Sequence, residues 1–254
     1  MKRKDKIQTI YLKYIFSENS NKNLSENADK NSNNYNNSNY NNYNLENLTI
    51  ENISKDMALK YYFKSQDLIL DNSNTNNLNA NNLINLIIER GENGKPYFKD
   101  INDLFFNGTH SKDLMAVAMS DNLVGIDGEF LKKRNFLDIA KEYFSFNEYK
   151  FLKSSLKLEI DFYTLWTLKE SYIKTFGKKI FDIKDSIEID LNERAIYNAD
   201  NLFFATFIID NCYIISVCCD LKNAENCKDI VIKINGYNLD LIFAYPDFPQ
   251  IEIV

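Results

Sequence analysis

Val124-Gly125-Ile126-Asp127-Gly128-Glu129 is an apolar approach that ends in two carboxylates separated by one glycine. In an extended strand alternate side chains share a face, so Asp127 and Glu129 point the same way, about 6–7 Å apart along the backbone. Together they form an oxygen face suited to a hard cation. Taken alone, the same pattern is also the solvated end of an ordinary strand, and the sequence around it has to separate the two readings.

The chain has 254 residues, 44% of them apolar and 14% aromatic. That is enough to bury a sizeable core, as one large domain or two smaller ones, and it excludes disorder throughout. A net charge of −6 argues against general nucleic-acid binding, which needs a basic field. MKRKDKIQTIYLKYIF opens with the charges of a signal peptide, but Lys and Gln interrupt its apolar residues and no small-residue cleavage site follows. No run approaches membrane-spanning length, so the expectation is a cytoplasmic protein. Cys212, Cys218, Cys219 and Cys227 form no CxxC pair and have no histidine nearby. Zinc spacing is absent, and buried free thiols are expected.

Upstream of VGIDGE, residues 6–16 suit a first strand. About half of the residues from Asn19 to Asn44 are Asn, which marks residues 18–47 as a solvated insertion. ISKDMALKYYFKSQDLIL suggests a helix with broken periodicity. Beyond a second Asn-rich piece, DNSNTNNLNANN, the apolar residues of LINLIIER predict a helix closed by Gly91. GENGKPYF follows as a loop that leaves the Lys95 ammonium free. Leu114 to Met119 reads as a buried strand preceded by a polar turn, NGTHSKD, which contains His110, the single histidine.

Downstream, Lys132, Lys133 and Arg134 form a basic run, either a solvated surface or a draw for an anionic ligand or acidic partner. NFLDIAKEYF has a helical core face, and Ser145 to Glu148 resembles a capping box. DFYTLWTLKESYIKTFGKK predicts a helix of about four turns, capped by Asp161 and Gly177. Trp166, Glu170 and Lys174 fall at i, i+4 and i+8 on one face, with Lys169 beside it. LFFATFIID and CYIISVCC read as strands joined by a tight hairpin at Asp210-Asn211, and IVIKI and LDLIFAY add further strands. The expected fold class is α+β in two similar-sized lobes: residues 1–121 with the Asn-rich insertion, and residues 122–254 with the acidic pair.

GKPYF, FNGTHS, VGIDGE, FSFNEY, LWTLKESYIK and YIISVCC, taken in this order, resemble the Sfp-type 4′-phosphopantetheinyl transferases over roughly residues 90 to 220. The resemblance implies a pseudo-two-fold monomer of two α/β lobes. Coenzyme A and Mg²⁺ would bind between them, and the phosphopantetheine arm would pass to a serine of an apo acyl or peptidyl carrier protein, releasing 3′,5′-ADP. Asp127, Glu129 and Glu170 correspond to the metal ligands. Lys174 corresponds to the lysine on the phosphates and leaving group, and Lys169 to a second lysine of the same motif. Thr109 and His110 match the turn on a coenzyme A phosphate, and Gly94, Lys95 and Pro96 the loop beside the adenine and 3′-phosphate. Glu148 matches a proposed general base on the carrier serine, for which Glu170 or a metal-bound water is the alternative.

The chain differs from the family pattern in two places. Gly128 stands where an aliphatic residue is common, and the segment from Lys60 to Asp71 offers Lys60 and Lys64 but no arginine for the 3′-phosphate. Two other readings fit the same residues: a non-catalytic descendant that binds coenzyme A or a carrier protein, and another Mg²⁺-dependent phosphotransferase.

Overall fold

VGIDGEF forms strand β6 (Val124–Phe130), the edge of a four-stranded antiparallel sheet in which β10 (Tyr213–Asp220), β9 (Leu202–Ile209) and β12 (Leu239–Tyr245) follow in order. The computed structural model describes residues 8–16, 49–63, 86–99, 101–179, 183–184, 186–221, 230–236, 238–246 and 248–254. The insertion expected at 18–47, the piece DNSNTNNLNANN, Lys64 and Cys227 lie outside them.

A second sheet runs in the order β13 (Gln250–Ile253), β11 (Ile230–Asn235), β1 (Gln8–Phe16), β5 (Leu114–Ser120), β4 (Phe105–Ser111). It draws strands from both sides of residue 121, because β1 pairs in parallel with β11 and antiparallel with β5. Two short hairpins, β2 (Ile88–Arg90) with β3 (Pro96–Phe98) and β7 (Glu188–Asp190) with β8 (Ala195–Tyr197), complete the strands among the described residues.

Helix α1 (Ile50–Met57), extended by a π-helical turn over Ala58–Phe63, packs on the five-stranded sheet through Ile53, Met57, Phe106, Val117 and Met119. Helices α2 (Phe136–Tyr143), α3 (Phe146–Ser154) and α4 (Leu158–Phe176) cover the outer face of the four-stranded sheet through Phe162, Leu165, Leu168, Phe204, Ile214 and Cys218. Between the sheets lies a third cluster in which Ile10, Leu12 and Ala116 meet Ile126, Phe203, Phe207, Ile215 and Val217. Both faces of β9 and β10 are therefore covered. That is why LFFATFII and YIISVCC read as continuous apolar runs and not as alternating ones. The architecture is α+β, as expected.

Several local readings are borne out. Asp210 and Asn211 both take positive φ, 49° and 52°, the geometry of a primed hairpin turn between β9 and β10. Ser145 and Glu148 form a complete capping box at α3, and Gly177 closes α4 in the left-handed conformation. Cys218 and Cys219 are buried free thiols, and Cys212 is half-buried.

Other readings need correction. Ile88–Arg90, read within a helix, is a strand paired with Pro96–Phe98. The turn between them decides this: Asn93 and Gly94 have φ of 60° and 81°, and the Gly91 amide donates to the Lys95 carbonyl at 2.9 Å. Of NGTHSKD, read as a polar turn, Asn107 to Ser111 belong to strand β4, and the turn falls at Lys112, where φ is 53°. Its polar residues pair in register with β5, and their side chains serve the neighbouring sheet instead of solvent. Helix α4 starts at Leu158, one turn before Asp161, and runs for 19 residues.

Candidate active site

On β6, alternate residues Gly125, Asp127 and Glu129 face α4, while Ile126 faces the core between the sheets. Gly125 is what lets the helix come close. A Cβ there would lie 2.2 Å from the Ser171 carbonyl oxygen and 2.4 Å from the Thr175 amide nitrogen. Two buried hydroxyl contacts then fix the register of α4 on the sheet: Thr167 Oγ1 with Ser216 Oγ at 2.7 Å, and Thr175 Oγ1 donating to the Cys218 carbonyl at 3.2 Å. The face of α4 that carries Thr167, Glu170, Ser171, Lys174 and Thr175 thus lies over the carboxylates, as i, i+3, i+4 spacing dictates. Trp166 instead turns onto the end of α2, stacking on Phe162 of its own helix at 6.0 Å and meeting Tyr143 and Phe144.

Strand β6 has an unpaired edge, and β4 supplies its missing partners from side chains. Thr109 Oγ1 accepts from the Gly128 amide at 3.1 Å, and Ser111 Oγ accepts from the Phe130 amide at 2.9 Å. The same hydroxyls reach the carboxylates, Thr109 to Asp127 Oδ1 and Ser111 to Glu129 Oε2, each at 3.4 Å. His110, next to Thr109 on β4, is exposed and points away from this contact, as strand alternation requires. Gly128 is closely surrounded: a Cβ would stand 3.1 Å from Ile215 and 3.2 Å from Thr109. The neighbours fill the space that an aliphatic side chain would take.

Asp127 is buried. Its Oδ1 accepts from the Lys174 ammonium at 2.7 Å, and its Oδ2 has no hydrogen-bond partner. The Arg134 guanidinium lies 3.4 Å from Glu129 Oε2 and 5.7 Å from the Tyr163 ring centre, so this exposed member of the basic run reaches back to the acidic pair. Burial, and then the charge of Asp127, raise the Glu129 carboxyl above its ordinary range against the pull of Arg134. Burial, Asp127 and Glu129 push Glu170 up to about 7, although Lys174 works the other way. The three carboxylates therefore share one electrostatic neighbourhood.

A cleft of about 350 Å³ opens beside them, between α1, the β2–β3 turn, β4 and the end of α4. Its cations are Arg90, Lys95, Lys174 and Lys178, set against Glu51. Such a balance suits a polyanionic ligand. Arg90 donates to Glu51 Oε1 at 2.8 Å and to the Gly94 carbonyl at 3.2 Å. Lys178 donates to the Tyr172 hydroxyl at 2.8 Å and lies 4.6 Å from the centre of that ring. Lys95, expected to be free, donates instead to the Val124 and Lys174 carbonyls at 2.9 and 2.6 Å. Burial lowers it to about 8. Pro96 also lines the cleft. Lys60 is absent from the described lining and pairs with Asp56 at 3.2 Å.

Glu148 and Lys169 stand apart from the cleft lining. They form a fully buried ion pair at 3.1 Å. Glu148 also accepts from the Ile189 and Ser145 amides at 2.9 and 2.8 Å, and Lys169 donates to the Ile183 and Ile187 carbonyls. Both carboxylate oxygens of Glu148 are thus engaged.

Arg90, Lys178 and Ser111 are site residues the sequence did not single out, and Arg134 stood out only as part of a basic run. Arg90 was hidden by the helical reading of its segment, and Ser111 by the reading of β4 as a turn. Lys178 directly follows the Gly177 cap, where a lysine is the ordinary complement of a helix C-terminus.

An α+β protein whose edge strand presents two carboxylates to a helical Glu and Lys beside a cationic cleft is a candidate phosphate-handling enzyme. Residues 123–218 match the model of the 4′-phosphopantetheinyl transferase superfamily. It is 34% identical over 163 residues to 4′-phosphopantetheinyl transferase Sfp of Bacillus subtilis (strain 168), covering 63% of this chain and 63% of that protein. It is 39% identical over 111 residues to 4′-phosphopantetheinyl transferase gsp of Aneurinibacillus migulanus, covering 43% and 46%. For 4′-phosphopantetheinyl transferase HetI of Nostoc sp. the figures are 37% over 106 residues, 39% and 44%. The matched region spans roughly half to two thirds of the length of such relatives, from 41% to 66%. Among the described residues no helix is long and apolar enough to cross a membrane.

Proposed function

We propose that this protein is a Mg²⁺-dependent 4′-phosphopantetheinyl transferase that moves the phosphopantetheine arm of coenzyme A to a serine of an apo acyl or peptidyl carrier protein. The observation that carries this reading is the position of Lys174, whose ammonium bonds Asp127 and also lines the cationic cleft. It joins a place for a nucleotide diphosphate to a place for a metal.

The donor set fits a hard cation in chemistry. Asp127 keeps one oxygen without a partner, and Glu129 and Glu170 are crowded by like charge that a divalent ion would relieve. Among the described residues no three acidic, histidine or cysteine side chains converge closely enough to hold an ion as they stand. Asp127, Glu129 and Glu170 would hold it after side-chain rotation, and it would neutralise charge developing on the pyrophosphate.

The protein's own residues divide the remaining work. Arg90 and Lys178 receive the 3′-phosphate of coenzyme A, Arg90 in the place of the arginine missing from the Lys60–Asp71 segment. Lys95 holds the cleft's shape by tying the β2–β3 turn to β6 and α4. In the transfer the serine Oγ–P bond forms and the P–O bond between the two phosphates breaks, leaving 3′,5′-ADP. Lys174 stabilises the departing phosphate oxygen. Glu170 takes the serine proton, because Glu148 has neither a free oxygen nor access to the cleft. Glu148 and Lys169 act as positioning residues.

Calorimetry with coenzyme A and with ATP, each with and without Mg²⁺, tests the substrate class. Coenzyme A is expected to bind tighter than ATP and to lose affinity in Arg90→Ala. Preference for ATP would point to a different phosphotransferase.

A further inference from the structure

We propose that Arg134 competes with the divalent ion for Glu129 and keeps the metal affinity of the acidic cluster low; this rests on the metal reading above. Glu129 Oε2 accepts from Ser111 Oγ and from the Arg134 guanidinium, each at 3.4 Å. Asp127 meets the Lys174 ammonium in the same way at 2.7 Å. Two of the three carboxylates that would hold an ion are therefore already matched by a cation of this chain. Within the basic run, the charge of Arg134 acts on Glu129 more strongly than that of Lys132.

The place of Arg134 is fixed, although 32% of its side chain is exposed. One residue past β6 the Leu131 amide donates to the Cys212 carbonyl at 2.8 Å, and the Lys132 carbonyl accepts from the Tyr163 hydroxyl at 2.9 Å. Phe136, which opens α2, is buried against Phe162 and Tyr163, with ring centres 4.9 and 5.8 Å away. Between these anchors the guanidinium lies 5.7 Å from the Tyr163 ring centre, within range of cation–π attraction. A cation so held stays beside Glu129 when an ion arrives.

The consequence for a metal follows from charge. An ion that takes Glu129 Oε2 has to displace the guanidinium, and one that takes the other oxygen acquires a positive neighbour about 5 Å away. Arg134 opposes the ion in either case. Lys174 differs, because it lines the cleft and can follow the donor's phosphates, which frees Asp127, whereas Arg134 is absent from the described lining. The ion is thus held well only where phosphate oxygens of the donor add to the carboxylates.

Mn²⁺ binding tests the proposal, with free ion counted by its EPR signal, on the whole protein alone and saturated with coenzyme A, against a coenzyme A blank. Arg134→Ala and Arg134→Gln are each expected to lower Kd for Mn²⁺ about three- to tenfold in both conditions, and added salt should narrow the gap. Arg134→Lys keeps the charge and should restore most of the wild-type Kd. Lys133→Ala, in the same run, is the control and should leave it unchanged. The Mg²⁺ concentration that half-saturates transfer should fall in Arg134→Ala by the same factor. Equal Kd in the wild type and Arg134→Ala, or weaker binding in the variant, would overturn the proposal and leave the metal reading intact. No Mn²⁺ binding by the wild type in either condition would overturn both.

Discussion

Lys174 Nζ lies 2.7 Å from Asp127 Oδ1, and the same lysine forms part of the wall of a cleft whose other described cations are Arg90, Lys95 and Lys178. One ammonium thus connects the two halves of the site. Lys174→Ala is expected to lower kcat by about 10²-fold or more, with a smaller effect on coenzyme A affinity, because its charge is most useful when the phosphate oxygen departs. Steady-state kinetics on a carrier protein measures both. A change confined to KM would place Lys174 in substrate binding alone.

The glycines of VGIDGE predict opposite tolerances. Gly125→Ala places a methyl 2.2 Å from helix backbone that cannot swing aside, so a loss of about 3 kcal/mol or more is expected. Gly128→Ala meets only side chains at 3.1 and 3.2 Å, and should cost about 1 kcal/mol or less. Urea unfolding of the two variants checks the contrast. Equal stabilities would contradict the packing of α4 against β6.

The buried pair of Glu148 and Lys169 predicts loss of stability, not of a chemical step. Glu148→Gln keeps the shape but leaves Lys169 as a buried charge without its counterion, which costs about 3–5 kcal/mol. At a temperature where the variant remains folded, its pH–rate profile should keep the wild-type form. Disappearance of one limb of that profile would make Glu148 the base.

Lys95 predicts a pH dependence of stability. Burial lowers its folded-state pKa from 10.5 to about 8. Protonated Lys95 therefore burdens the fold below about 8, and the burden lifts as pH rises from about 8 to 10.5, where only the unfolded chain still holds the proton. The contribution of this group to stability rises with pH across that window. Lys95→Met should remove the rise, which denaturant titrations at the two ends of the window, compared with wild type, would measure.

The sequence made the strands legible wherever burial on two faces left continuous apolar runs, as in β9 and β10. It also made α4 legible, because Gly177 and the i, i+4 spacing of Glu170 and Lys174 are local signals. It failed where tertiary contacts decide the backbone. Ile88–Arg90 has apolar residues that suit a helix or a strand, and only the turn at Asn93 and Gly94 settles the choice. The polar run of β4 resembles a turn because its Thr and Ser partners, the edge amides of β6, lie some twenty residues further along the chain. Arg90 was invisible for the same reason. Its place in the cleft depends on a hairpin, not on a motif.

The central claim is that Asp127, Glu129, Glu170 and Lys174 together transfer phosphopantetheine. The most direct test is intact-mass analysis of apo carrier proteins incubated with coenzyme A, Mg²⁺ and the wild type, Asp127→Ala or Glu170→Ala. The account predicts that at least one carrier gains the mass of the phosphopantetheine arm with the wild type, and none with either variant. Unmodified carriers throughout, or full modification by both variants, would contradict it.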